Sequence, residues 1–271
     1  MLYKSFLPDP ALREFVRNYT IIDFQFNSGQ PPPIKQRSPK AEQKIVFYIK
    51  GFVNIPGAQG AITPPAVAVY SHQQERRLLQ VSATFLALVI YFRPGVLHKL
   101  IKLPMSGFPS GCADAELFFG TDVRLVREQL AGADSLWSMI SIAEQFLLPK
   151  FRSSIARSPI DVVADRLLND PTSFSVDEMA EHSCLSTRQF HRRFVEQIGI
   201  SPKFFSRLCR FNHAFRFKLR HPGVSWSSIA QEYSYTDYHH LEKEFKSFLG
   251  LTPEEWIQAE LQAPERMLKL R

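Results

Sequence analysis

The chain has 271 residues, enough for two domains, and a hydrophobic content of 45% that supports buried cores. No run approaches the roughly 20 apolar residues of a membrane span, and residues 1–8 lack the basic-then-apolar profile of a signal peptide. The net charge of +7 permits a polyanionic partner without requiring one. Cys112, Cys184 and Cys209 are odd in number, widely spaced and form no CxxC. They argue against a disulfide scaffold or a thiolate zinc site and for a reducing, cytoplasmic setting.

The first half alternates short runs rich in Ile, Val, Phe and Tyr with Pro and Gly breakers. Strands are expected at 19–26, 45–50, 66–71 and 84–92, separated by Pro31-Pro32-Pro33, Pro56-Gly57, Pro64-Pro65 and Pro94-Gly95. From Thr121 the period becomes helical. Leu125, Val126 and Leu130 share one face, and Leu136, Met139, Ile140, Ala143, Phe146 and Leu147 share another, with Asp134 or Ser135 as N-cap. This second face could serve self-association or packing within the domain. A β-rich domain over 1–150, closed by a helical pair, is followed by a basic linker at 151–158.

From 159 onward the text is helical. Ser158-Pro159 places Ser at the N-cap and Pro at the first helical position, where a missing N–H costs nothing. Ser175-Val-Asp-Glu178 and Ser186-Thr-Arg-Gln189 are capping boxes. The segment then repeats itself. Met179-Ala180 recurs as Ile229-Ala230 at an offset of 50. Phe190 and Phe194 recur as Leu241 and Phe245, and Gly199-x-Ser201-Pro202 as Gly250-x-Thr252-Pro253, at an offset of 51. Short helix, turn, longer amphipathic helix and left-handed Gly cap is the shape of a helix-turn-helix, used twice.

In such a unit the second helix enters the major groove and its early turns face the base edges. The first groove helix is expected at 187–198. Phe190, Phe194 and Ile198 must face inward, which leaves Arg188, His191 and Arg192 outward. Arginine suits bidentate contact with guanine O6 and N7, although the same residues could serve phosphates alone. The second groove helix, at 237–249, buries Leu241, Phe245 and Phe248 and presents His239, His240, Lys243 and Lys246. Adjacent histidines diverge by about 100° on a helix, and with no nearby Cys or carboxylate set they give no metal site. Between the units one helix carries an apolar stripe of Phe204, Leu208, Phe211, Phe215 and Leu219. Nine basic residues against Glu196 fall between Arg188 and Arg220, and Lys203 and Arg207 are expected to reach DNA, whereas Arg210 is expected to pair internally.

These residues resemble the DNA-binding domain of the AraC/XylS family of transcription regulators. The likeness runs through Ala180, Leu185-Ser186, Phe190, Arg192, Phe194, Gly199-x-Ser201-Pro202, Phe205, Arg210, Ala214, Ile229-Ala230, Tyr235, Asp237, His240, Phe245-Lys246 and Gly250-x-Thr252-Pro253. It implies seven helices, with two recognition helices in successive major grooves. It also implies base-facing positions at Arg188, His191 and Arg192, then at His239, His240 and Lys243. Ser234 stands where the family usually has Gly, and Leu241 where it has Phe. The first half is similar to a β-rich sensor-like domain found ahead of such regulators, on Phe92-Arg-Pro-Gly95, Lys102-Leu-Pro104, Asp114-Ala-Glu116-Leu and Phe119-Gly120.

The expected class is therefore α+β: a cupin-like or related β-rich regulatory domain with a helical pair, then an all-α double helix-turn-helix domain at 159–271. The expected partners are duplex DNA, a small-molecule effector held inside the β-structure, RNA polymerase and a second copy of the chain. No cofactor or metal is expected. Enzymatic readings lack a Ser/His/Asp set, a phosphate loop or paired carboxylates, and an RNA reading lacks an exposed aromatic platform.

Overall fold

The computed structural model describes residues 2–26, 34–57, 60–109, 111–151, 156–172 and 175–261. The first part contains β1 (Leu2–Phe6), β2 (Val16–Gln25), β3 (Ile34–Arg37), β4 (Gln43–Lys50), β5 (Val53–Asn54), β6 (Val67–Tyr70), β7 (Arg77–Val81) and β8 (Thr84–Phe92), then α1 (Val96–Ile101), β9 (Cys112–Asp114), α2 (Glu116–Phe119), α3 (Asp122–Ala131) and α4 (Leu136–Phe151). The second part is helical: α5 (Pro159–Asn169), α6 (Val176–His182), α7 (Thr187–Ile198), α8 (Pro202–Arg220), α9 (Trp226–Glu232), α10 (Tyr238–Leu249) and α11 (Pro253–Leu261). The α+β expectation holds. The Pro31-Pro32-Pro33 breaker, residues 152–155 of the expected linker and the last ten residues of the expected helical domain lie outside the described residues.

Six antiparallel strands form one sheet in the order β1-β2-β8-β4-β6-β9, and three form a smaller sheet, β3-β7-β5. The alternation along β8 shows why its text is apolar throughout. Leu88, Ile90 and Phe92 join the core beneath α3 and α4, while Phe85, Ala87, Val89 and Tyr91 face the smaller sheet. A strand covered on both faces loses the polar half of its period-two pattern. Four strands fall where expected. β1, β3, β5, β7 and β9 were not expected.

Two helical faces differ from expectation. On α3 the buried residues are Val123, Val126 and Leu130, while Leu125 is 57% exposed. The correct stripe begins two positions earlier, at i, i+3, i+7. On α8 the apolar face is wider than one stripe, because Phe205, Cys209 and Ala214 are buried as well. That helix is packed by α5, α7 and α9. The α4 face of Met139, Ile140, Ala143, Phe146 and Leu147 lies in the core of its own domain, so it is not a surface for a second copy.

The two parts meet over a polar seam. Lys99 of α1 pairs with Asp161 of α5, while Arg93 and Arg157 pair with Asp165 at 2.8 and 3.2 Å. Gln43 donates to the Ile198 carbonyl at the end of α7. Gly95 has φ of 80° and lies so close to Asp161 that a β-carbon would overlap its carboxylate, so glycine is required there on both counts. Ala41, from the β part, sits in the core of the helical part.

Candidate nucleic-acid interface

Each helix-turn-helix unit is built from the same local chemistry. Ser175 and Ser225 cap α6 and α9, 50 residues apart, through their hydroxyls. Ser186 and Asp237 cap α7 and α10, 51 apart, and both of those helices have 12 residues. Cys184 and Ser234, again 50 apart, take left-handed φ of 53° and 55°. The following amides, Leu185 and Tyr235, donate to the carbonyls of Ala180 and Ala230 at 3.1 and 2.8 Å. The repeat therefore keeps its offset of 50 through Tyr235 and gains its extra residue at Thr236, just before the second groove helix. Gly199 and Gly250 end the groove helices at φ of 97° and 69°.

The buried face of α7 is Phe190, Phe194 and Ile198, all fully enclosed, and Phe194 packs edge-on against Phe205 of α8. This leaves Arg188, His191, Arg192 and Arg193 exposed along the other side. Among the described residues none of these four enters an ion pair. Lys203, at the start of α8, is exposed beside them.

The face of α10 is organised differently. Leu241, Phe245, Phe248 and Leu249 are buried, and so is Glu244 at 4% exposure. Arg207 donates to the Glu244 carboxylate at 2.6 Å, Arg210 lies 3.5 Å from it, and the Tyr235 hydroxyl donates to its other oxygen at 3.3 Å. Arg210 also stacks over the Tyr235 ring at 4.4 Å and donates to the Ser234 carbonyl. Burial, then the neighbouring carboxylate, push the Tyr235 phenol up, so it stays a donor. Arg207 is thus committed to locking α8 onto α10. The Glu244 carboxylate is buried and its charge is met internally. The signal for this lock was a carboxylate on the inward side of an amphipathic helix with an arginine opposite, and sequence reading paired only Arg210.

The remaining outward residues of α10 also differ from one another. His239 and Lys243 are exposed. His240 is half-buried, its ring edge-on to Tyr235, and its amide donates to the capping Asp237 carboxylate. Lys246 is exposed but pairs with Glu242 at 2.9 Å.

The β part holds a cavity of about 1080 Å3 between its two sheets, opening toward α5 and α8. Its inner wall is apolar and aromatic, with Phe24, Tyr48, Phe85 and Val89 from the larger sheet and Leu79 and Val81 from the smaller. Its mouth is charged. Glu42, 7% exposed, is 3.3 Å from both Arg17 and Arg216 and 3.8 Å from Lys44. Burial alone would raise the Glu42 carboxyl, but Lys40, Lys44, Arg17 and Arg216 outweigh it and hold the group well below the usual carboxylate range. Polar residues at period two, Glu42-x-Lys44 and Lys35-x-Arg37, are the sequence signal that a strand face borders something other than a packed core.

Comparison with known proteins agrees with this geometry. Residues 179–259 match the family described as "Helix-turn-helix domain". Over 142 residues the chain is 28% identical to the HTH-type transcriptional activator RhaR of Escherichia coli strain K12, which covers 52% of this chain and 45% of that protein. The matched region thus spans under half the length of the curated relative. A substituted form of apo ToxT from Vibrio cholerae strain SCE256 shares the fold across both parts. Its TM-score is 0.50 at 12% identity, covering 89% of this chain and 97% of that one. Among the described residues, no helix is long and apolar enough to cross a membrane.

Proposed function

We propose that this chain, whose C-terminal part is a helix-turn-helix domain of the AraC/XylS type, is a sequence-specific DNA-binding transcription regulator controlled through its β part, and not an enzyme. The observation that carries the reading is the duplicated unit: two groove helices of equal length, each with a fully buried inner face and a polar outer face, joined by the rigid α8. Arg188, His191 and Arg192 of the first helix, and His239 and Lys243 of the second, are the side chains assigned to base edges. Lys203, Lys246 and the exposed side of His240 are assigned to the backbone or to neighbouring positions. Arg207 is assigned to the scaffold. A small-molecule effector would occupy the cavity, and contacts with RNA polymerase and self-association belong to the same proposal.

The two units are expected to contribute unequally. Once Glu244 is removed from the outward count, α7 carries Arg188, Arg192 and Arg193 against Glu196, whereas α10 balances Lys243 and Lys246 against Asp237 and Glu242. Phosphate neutralisation dominates affinity, so the more cationic first unit should supply more of it. The test is selection of preferred sites from random duplex DNA by the purified chain, followed by Arg192→Ala and Lys243→Ala on the selected and a scrambled site. Loss of a bidentate base contact should cost roughly 1–3 kcal/mol and fall on the selected site. Failure to enrich any site would remove the reading, and a larger loss from Lys243→Ala across several salt concentrations would remove the asymmetry.

A further inference from the structure

The mouth of the β cavity has far more positive than negative charge. Among the described residues lining the cavity, eight are Lys or Arg and two are carboxylates. Of those carboxylates Glu42 is the one set among the cations at short range, and it is shared between Arg17 and Lys44 of the β part and Arg216 of α8. Lys44 is only 8% exposed at its side chain and lies over the Tyr70 and Tyr91 rings. Burial, then Arg37, pushes its ammonium well down, and Lys40 and Arg17 add to this while Glu42 offsets only part. Burial makes such an excess of positive charge costly at Lys44, and an anionic ligand would offset that cost. Behind the mouth the wall turns apolar, and the cavity is large enough for a ligand of some size.

We propose that the cavity takes an organic anion with an apolar, ring-bearing body, its head held between Arg17, Arg37 and Lys44 of the β part and Arg216 of the helical part, in competition with Glu42. The two halves of the ligand follow the two halves of the wall. A carboxylate or phosphate head finds guanidinium donors at the mouth, and the body lies against Phe24, Tyr48 and Phe85. Glu42 is then an internal counter-ion: it neutralises Arg216 when no ligand is bound and yields that role to the incoming head. Arg216 lies on the helix that joins the two DNA-reading units. The exchange of its partner is therefore felt where the two groove helices are held together. The inference rests on the β part being the regulatory half.

Calorimetric titration of the full chain with 6-phenylhexanoate, the matched alcohol 6-phenylhexanol and inorganic phosphate tests it. The acid should bind at least about tenfold more tightly than either comparator, since charge-assisted hydrogen bonds supply the difference. Arg216→Gln, at an exposed position, should weaken the acid about tenfold, and Glu42→Gln should tighten it several-fold by removing the competing carboxylate. Equal affinity for acid and alcohol, or for phosphate alone, would overturn the proposed ligand class. An Arg216→Gln chain that binds the acid as tightly as the parent would overturn the bridging head, whether or not the buried Glu42→Gln variant folds. DNA affinity is measured in parallel: acid that binds as described while leaving DNA affinity unchanged would remove the regulatory reading and leave the site standing.

Discussion

Glu244 decides how the second unit is read, because one carboxylate changes both the charge count and the role of its neighbours. On the sequence it is an acidic residue of a groove helix. In the structure it is a buried acceptor for Arg207, Arg210 and Tyr235, turned inward while its neighbour Lys243 is exposed. Glu244→Gln keeps the shape and leaves two guanidiniums without their counter-charge. Breaking a buried pair from one side costs roughly 3–5 kcal/mol. Because both arginines keep some solvent, the loss should fall near or below the lower end of that range, about 2–3 kcal/mol. Urea unfolding monitored by circular dichroism measures it; a loss under about 0.5 kcal/mol, the level of an ordinary surface substitution, would mean that Arg207 is free to serve DNA after all.

At the scale of elements, the turns carry the recorded strain. Cys184 and Ser234 occupy the left-handed region that favours glycine. Ser234→Gly relieves that strain but adds freedom to the unfolded chain, so the net gain should be about 0.5–1 kcal/mol. A raised urea midpoint with an unchanged slope checks it, and a lowered midpoint would mean that the serine side chain contributes more than its backbone loses. The helical units were legible in the sequence because their determinants are local: Ser175, Ser186 and Ser201 cap, Gly199 and Gly250 terminate, and Phe190 and Phe194 repeat at four-residue spacing. The smaller sheet was not legible. β3 (IKQR) and β7 (RLLQV) are short neighbouring strands of a small sheet that borders the cavity, so their alternation is too weak to mark them as strands. The Glu42 cluster was equally hidden, since it joins residues from β2, β4 and α8 that only the tertiary fold brings together.

For the whole molecule, the seam between the β part and the helical part makes stability depend on pH. His72 is buried there, edge-on to Phe205 of α8. Burial lowers its imidazole to about 4, with the Ile198 backbone and Glu42 opposing only in part. The unfolded chain takes up this proton near pH 6.5 while the folded chain refuses it until about pH 4. Stability is therefore complete above pH 6.5 and falls as the pH drops through that window, by up to about 3 kcal/mol in total. His72→Gln should flatten this part of the profile of Tm against pH, and an unchanged acid limb would assign the loss to other groups.

The two helix-turn-helix units, joined by α8, are expected to read one duplex together. Hydroxyl-radical footprinting of the full chain on its selected site tests this most directly. Two recognition helices in successive major grooves predict protection in two blocks on one face of the duplex, about 10 base pairs apart and about 20 base pairs overall, reduced but not moved by Arg192→Ala. Protection confined to a single helical turn, or equal protection of selected and unrelated sequences, would contradict the account.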